Sequence, residues 1–145
     1  MLIFICVFTL QVPNTVTAQN SNEQQVIIET GLKLADLNNY LPENWKEKIK
    51  LTYLKIDEAP EQPFKLLGKK VLPYTNELPN QSGNVMVLRI TEMKIGVANC
   101  YLEFDLIYKS GEKTTAVQSV LLFEKQQDTW VIINKSITPT ATASL

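Results

Sequence analysis

From Val85 onward apolar and polar residues alternate with a period of two, the spacing of side chains along a half-buried strand. Met86, Leu88 and Ile90 hold one phase, whereas Met93, Ile95 and Val97 hold the other, so the alternation slips by one residue near Thr91 and Glu92. A period of two changes phase only at a bulge or a break, which predicts a bulged, bent strand. Cys100, Leu102, Phe104 and Leu106 make the next apolar row. If Ser110 and Gly111 form a two-residue hairpin turn, Leu106 meets Thr115, Phe104 meets Val117, Leu102 meets Ser119 and Cys100 meets Leu121. The apolar sides of the two strands then coincide, and a slip of one residue would turn them apart. The stretch "EKQQDTW" supplies a second reversal. Residues 120–123 and 130–133 are apolar at successive positions, which predicts a sheet covered on both faces.

The first half carries a different period. Ile27, Leu34, Leu37 and Leu41 stand at offsets of 7, 3 and 4, which predicts a helix over residues 26–41. Gly31 weakens that helix by about 1 kcal/mol relative to alanine, and a strand through "GLKLADL" is the rival. Pro42 suits the first turn of a second helix reaching about Lys50. Trp45, Ile49, Tyr53 and Ile56 fit helical spacing, while Ile49, Leu51 and Tyr53 fit a strand. "FKLLGKKVL" reads as a short strand or a helical turn between two loops, "DEAPEQP" and "PYTNELPNQSGN". The expected fold class is therefore α+β, with N-terminal helices packed on a bent antiparallel meander of about four strands.

The ends set the organisation. Residues 2–10 are mostly apolar, and Val16-Thr17-Ala18 are small or compact, which is the pattern of a secretory signal peptide over residues 1–18. The apolar run is too short to span a bilayer, which takes about 20 residues. Export to the periplasm or the outside of the cell is the expected localisation, with no stable membrane insertion after cleavage. Residues 19–25, "QNSNEQQ", read as a flexible leader, residues 26–138 as one domain and residues 139–145 as a disordered tail.

Composition narrows the chemistry. A formal charge of −1 provides no concentrated basic surface, so nucleic acid is not an expected partner. There is no histidine, which removes Ser-His-Asp and Cys-His catalysis and the usual zinc sites. No cofactor and no metal site are expected. Loss of Cys6 with the signal leaves Cys100 alone, and its place in an apolar row predicts a buried thiol. Glu103 and Asp105, two apart on a strand, leave the same face and are the candidate catalytic carboxylates, because crowding in a closed pocket raises one pKa. A solvated outer row explains the same pattern. In this hairpin register Gln118 sits opposite Glu103, and Tyr101 and Ile107 flank the row; Tyr101 and Gln118, with the aromatics Tyr53 and Trp45, are the candidate ligand-binding residues. Two glycosylation acceptor patterns begin at Asn80 and Asn134.

The order of helices before long bent strands, closing on "YKSGEKTTAVQSVLLFEKQQDTWVIINKSI", resembles the nuclear-transport-factor-2-like (NTF2-like) superfamily of cystatin-like α+β cones, in particular its small exported members. The matching pieces are "ANCYLEFDLIYKSGEK", "VQSVLLFEK", the turn "QQDT" and the Trp130 strand, over residues 85–137. The resemblance implies a pocket between sheet and helices in a superfamily of isomerases, dehydratases and non-catalytic binding modules. The His and Asp pairs of its dehydratases have no counterpart in a chain without histidine. The functional expectation is a small exported, non-catalytic binding domain that takes a protein partner or a small apolar ligand, or that forms a homodimer through its sheet. The alternative is a cofactor-free lyase or isomerase using Asp105 or Glu103.

Overall fold

The structure is a computed structural model that describes residues 15–54, 65–73 and 85–140. The signal-peptide core, the acidic loop after Asp57 and the Asn80 glycosylation pattern lie outside the described residues, as do the side chains of residues 15–21, 51, 53, 54, 73 and 85. The chain opens with helix α1 (Thr15–Leu32), a short 3-10 turn (Ala35–Asn39) and a one-turn helix α2 (Trp45–Lys48). Strands β1 (Ile49–Leu54), β2 (Lys65–Leu66), β3 (Lys69–Lys70) and β4 (Leu72–Pro73) follow, and then the long strands β5 (Val85–Ile95), β6 (Asn99–Ser110), β7 (Lys113–Gln126) and β8 (Thr129–Thr140).

The α+β expectation is overturned. Among the described residues strand is the majority conformation, and the fold they form is mainly β: a curled, mixed sheet of six strands in the order β4-β1-β5-β6-β7-β8, with a separate β2-β3 hairpin. The second expected helix is a single turn, after which Ile49, Leu51 and Tyr53 run as β1, parallel to both β4 and β5. Pairing with β5 on one side and β4 on the other satisfies backbone groups that a longer helix would have bonded internally. The first expected helix is shifted: it starts at Thr15, ends at Leu32 and gives way to the 3-10 turn. Residues 19–25 thus belong to α1 rather than to a loose leader, and Pro139 and Thr140 pair with Val117 and Ala116 rather than joining a frayed tail.

Helix α1 lies on one face of the sheet because Ile27, Ile28, Gly31 and Leu32 form a stripe at near-helical spacing, and its three large members are fully buried. Each such burial is worth about 1.5–3 kcal/mol, more than the ~1 kcal/mol that a helical glycine costs. Gly31 itself is required by the approach: a Cβ there would stand 2.8 Å from Leu121 Cδ1 and 3.4 Å from Leu102 Cδ2. Under the helix run Leu88, Ile90, Leu102, Phe104, Leu106, Val117, Leu121 and Phe123, all fully buried.

The β6-β7 register differs from the expected one by two residues. Ser110 pairs with Lys113, so Gly111 and Glu112 form the turn, with Gly111 at φ 60° in its first central position. A two-residue turn with a negative φ at its second position takes glycine first. Leu106 therefore meets Val117, Phe104 meets Ser119, Leu102 meets Leu121 and Cys100 meets Phe123. A shift of two leaves every side chain on its expected face. The phase slip on β5 is a bulge between Ile90 and Glu92. A second bulge, between Ile132 and Asn134 on β8, was not expected, and it explains why Ile132 and Ile133 follow one another without a second buried face. Leu122 (38%), Val131 (37%) and Ile133 (57%) are exposed, so this end of the outer face is open rather than covered.

Candidate functional site

The outer face, opposite α1, is built of four rungs across β5, β6 and β7. Val87, Ile107 and Ala116 form the first and are buried. Arg89, Asp105 and Gln118 form the second; Glu92, Glu103 and Val120 the third; Lys94, Tyr101 and Leu122 the fourth. The face thus grades from buried apolar through polar to exposed apolar.

Each candidate carboxylate has a donor. Arg89, the single arginine of the chain, stands opposite Asp105 and donates Nε (3.0 Å) and Nη2 (2.6 Å) to Asp105 Oδ2. Asp105 is buried beside the apolar first rung, and the adjacent cation offsets its desolvation. Glu103 accepts from Tyr101 Oη at 2.7 Å and from Gln118 Nε2 at 2.8 Å. Its cross-strand neighbour Glu92 is a like charge, which a bridge to Lys94 at 2.6 Å moderates. The hydrogen bond to Glu103 pushes the Tyr101 phenol up to about 12, with burial and the charges of Glu103 and Glu92 adding to the effect. Tyr101 is therefore a poor proton donor at neutral pH.

The structure brings together Tyr101, Glu103, Asp105 and Gln118, and places Trp45 elsewhere. Trp45 is a core residue, 2% exposed, and donates Nε1 to Asn38 Oδ1 at 3.0 Å. The backbone of Tyr53 stands beside Arg89 in the β1-β5 register. Sequence reasoning missed Arg89, although a lone arginine on the off-phase row of an apolar strand was the signal. It also missed Glu23, whose Oε1 accepts from both Lys125 Nζ (2.9 Å) and Trp130 Nε1 (3.0 Å) and so ties α1 to the β7-β8 end. That tie had no periodic signature.

Cys100 is 2% exposed in the core row, and burial, then the charge of Glu23, pushes its thiol up to about 12. It is a protonated core residue at neutral pH rather than a nucleophile.

Next to the fourth rung lies a groove of about 550 Å³ at the end of the sheet, lined by Ile95, Cys100, Tyr101, Leu122, Phe123 and Ile133 with Lys94, Gly96 and Asn99 at the strand ends. A second groove, of about 520 Å³, is made by the contiguous stretch from Asn38 to Glu47 around Trp45. Among the described residues no group of three metal-ligating side chains occurs, and no helix is long and apolar enough to cross a membrane. No family model, no curated protein and no solved structure matches the chain.

Proposed function

We propose that the protein is a small binding domain, not a catalyst, that takes an apolar ligand or an apolar side chain of a partner in the groove at the Tyr101–Leu122 end of its outer face. The observation that carries this reading is the contrast along that face. Glu103 and Asp105 are engaged by Tyr101, Gln118 and Arg89, whereas Leu122, Val131 and Ile133 expose apolar surface beside a concave site. Exposed apolar surface grouped at a concavity, rather than scattered singly, favours binding. The close approach of α1 to Leu121, Leu102 and Phe104 at Gly31 favours this groove over the space between helix and sheet.

Fluorescence titration with anilinonaphthalene sulfonate tests the reading. The native fold is expected to show a saturable site, and Leu122→Lys to weaken it at least tenfold while leaving the far-UV circular dichroism unchanged. Absence of saturable binding, or equal binding by the variant, contradicts the proposal.

A further inference from the structure

We infer that β8 is a self-pairing edge: two copies of the chain join their sheets through β8, antiparallel, about a twofold axis between Ile133 and Asn134. Strand β8 is twelve residues long, lies at one edge of the six-stranded sheet and, among the described residues, has β7 as its one strand neighbour. In an antiparallel ladder, residues whose N–H and C=O point at the neighbour alternate with residues whose groups point away. Gln126 and Thr129 flank a two-residue turn, with Gln127 (φ 47°) and Asp128 (φ 64°) both left-handed, and are therefore a bonded pair. Counting from Thr129, Trp130 and Ile132 direct their backbone groups away from β7. The bulge at Ile133 resets the count, since Asn134 pairs with Leu122. Beyond it Lys135, Ile137 and Pro139 are the outward positions.

This phase change selects the partner. A straight strand laid along β8 can stay bonded on only one side of the bulge. A second β8, antiparallel and carrying the same bulge, stays in phase on both: Trp130 of one copy falls opposite Ile137 of the other, and Ile132 opposite Lys135. All four are outward positions, and all four belong to the α1 side of the sheet. On the outer side Val131 falls opposite Ser136, and Ile133 opposite Asn134, so the exposed apolar side chains of the two copies gather at the axis. The ladder ends where Pro139, which has no N–H, meets Asp128 of the other copy.

Charge permits the contact. Lys135 is the one charged residue from Thr129 to Thr140, it is already bound to Asp36 of its own chain, and in this register it faces an isoleucine. Bulges, lysines and prolines commonly guard an edge against foreign strands, and here the same three features leave the edge open to a copy of itself. The inference shares only Ile133 with the groove and does not depend on a ligand.

Sedimentation equilibrium tests the stoichiometry, and a Val131→Cys/Ser136→Cys double variant tests the register. The expected results are twice the chain mass for the native protein, a covalent dimer on oxidation of the double variant, none from Val131→Cys alone, and a single-chain mass for Ile133→Lys, an exposed position whose change spares the core. A single-chain mass for the native protein at every concentration overturns the inference. So does a dimer that the double variant fails to lock or that Ile133→Lys leaves intact. A monomer that still binds the dye removes the self-pairing and leaves the groove reading in place.

Discussion

Arg89 keeps more contact with water than the carboxylate it binds, its side chain being 26% exposed against 12% for Asp105. The two halves of this pair should not be equally dispensable. Replacing Arg89 by methionine strands a buried carboxylate beside Val87, Ile107 and Ala116, whereas replacing Asp105 by asparagine leaves a guanidinium that can turn outward. An uncompensated buried polar group costs about 1–3 kcal/mol, more when charged. Urea unfolding at pH 7 should therefore show Arg89→Met to be the more destabilising change, by about 1 kcal/mol or more. Equal losses would mean that the pair is a solvated surface bridge. At this scale the sequence was legible where parity alone decides: Glu103 and Asp105 do share a face, with Tyr101 and Gln118 beside them, and Cys100 does lie in a buried row. It was silent on Arg89, because the partner of Asp105 on β5 depends on register across strands, and a hairpin turn one residue early sets Gln118 opposite Glu103 rather than Asp105.

At the scale of elements, the long strands were legible because alternation on β5 and β6 and the turn residues between the strands mark them over ten or more residues, while β1 to β4 were not. Residues 42–73 contain short segments whose apolar spacing fits a helix and a strand equally well, and pairing with distant β5 decides between them. Helix α1 was misplaced for a related reason: its polar first half contributes no stripe, and Glu23 holds it through one side chain. Gly31 shows how the element is seated. Its missing Cβ lets α1 approach Leu121, so Gly31→Val should overpack the interface and destabilise the protein by about 2 kcal/mol or more, read as a lower urea midpoint with unchanged slope. An increase in stability would place the helix farther from the sheet than described.

The whole molecule is a sheet with two unlike faces. One, under α1, is filled by side chains and holds the only described cysteine; the other carries an ion-paired middle and an exposed apolar end. That division underlies both the groove, which needs Leu122 and Ile133 in water, and the self-pairing edge, which needs Val131 and Ile133 there. The expected covering of both faces failed at this end of the sheet: on β8 a bulge sets Ile132 and Ile133 side by side, and on β7 Leu122 is an apolar residue that faces water. A single labelling experiment addresses the division most directly. In a Leu122→Cys chain the native thiol Cys100 and the new thiol differ in face. Mass spectrometry after treatment with a maleimide under native conditions, with peptide mapping, should find residue 122 labelled and Cys100 unlabelled. A label on Cys100 of the folded chain would contradict the assignment of the faces and everything built on it.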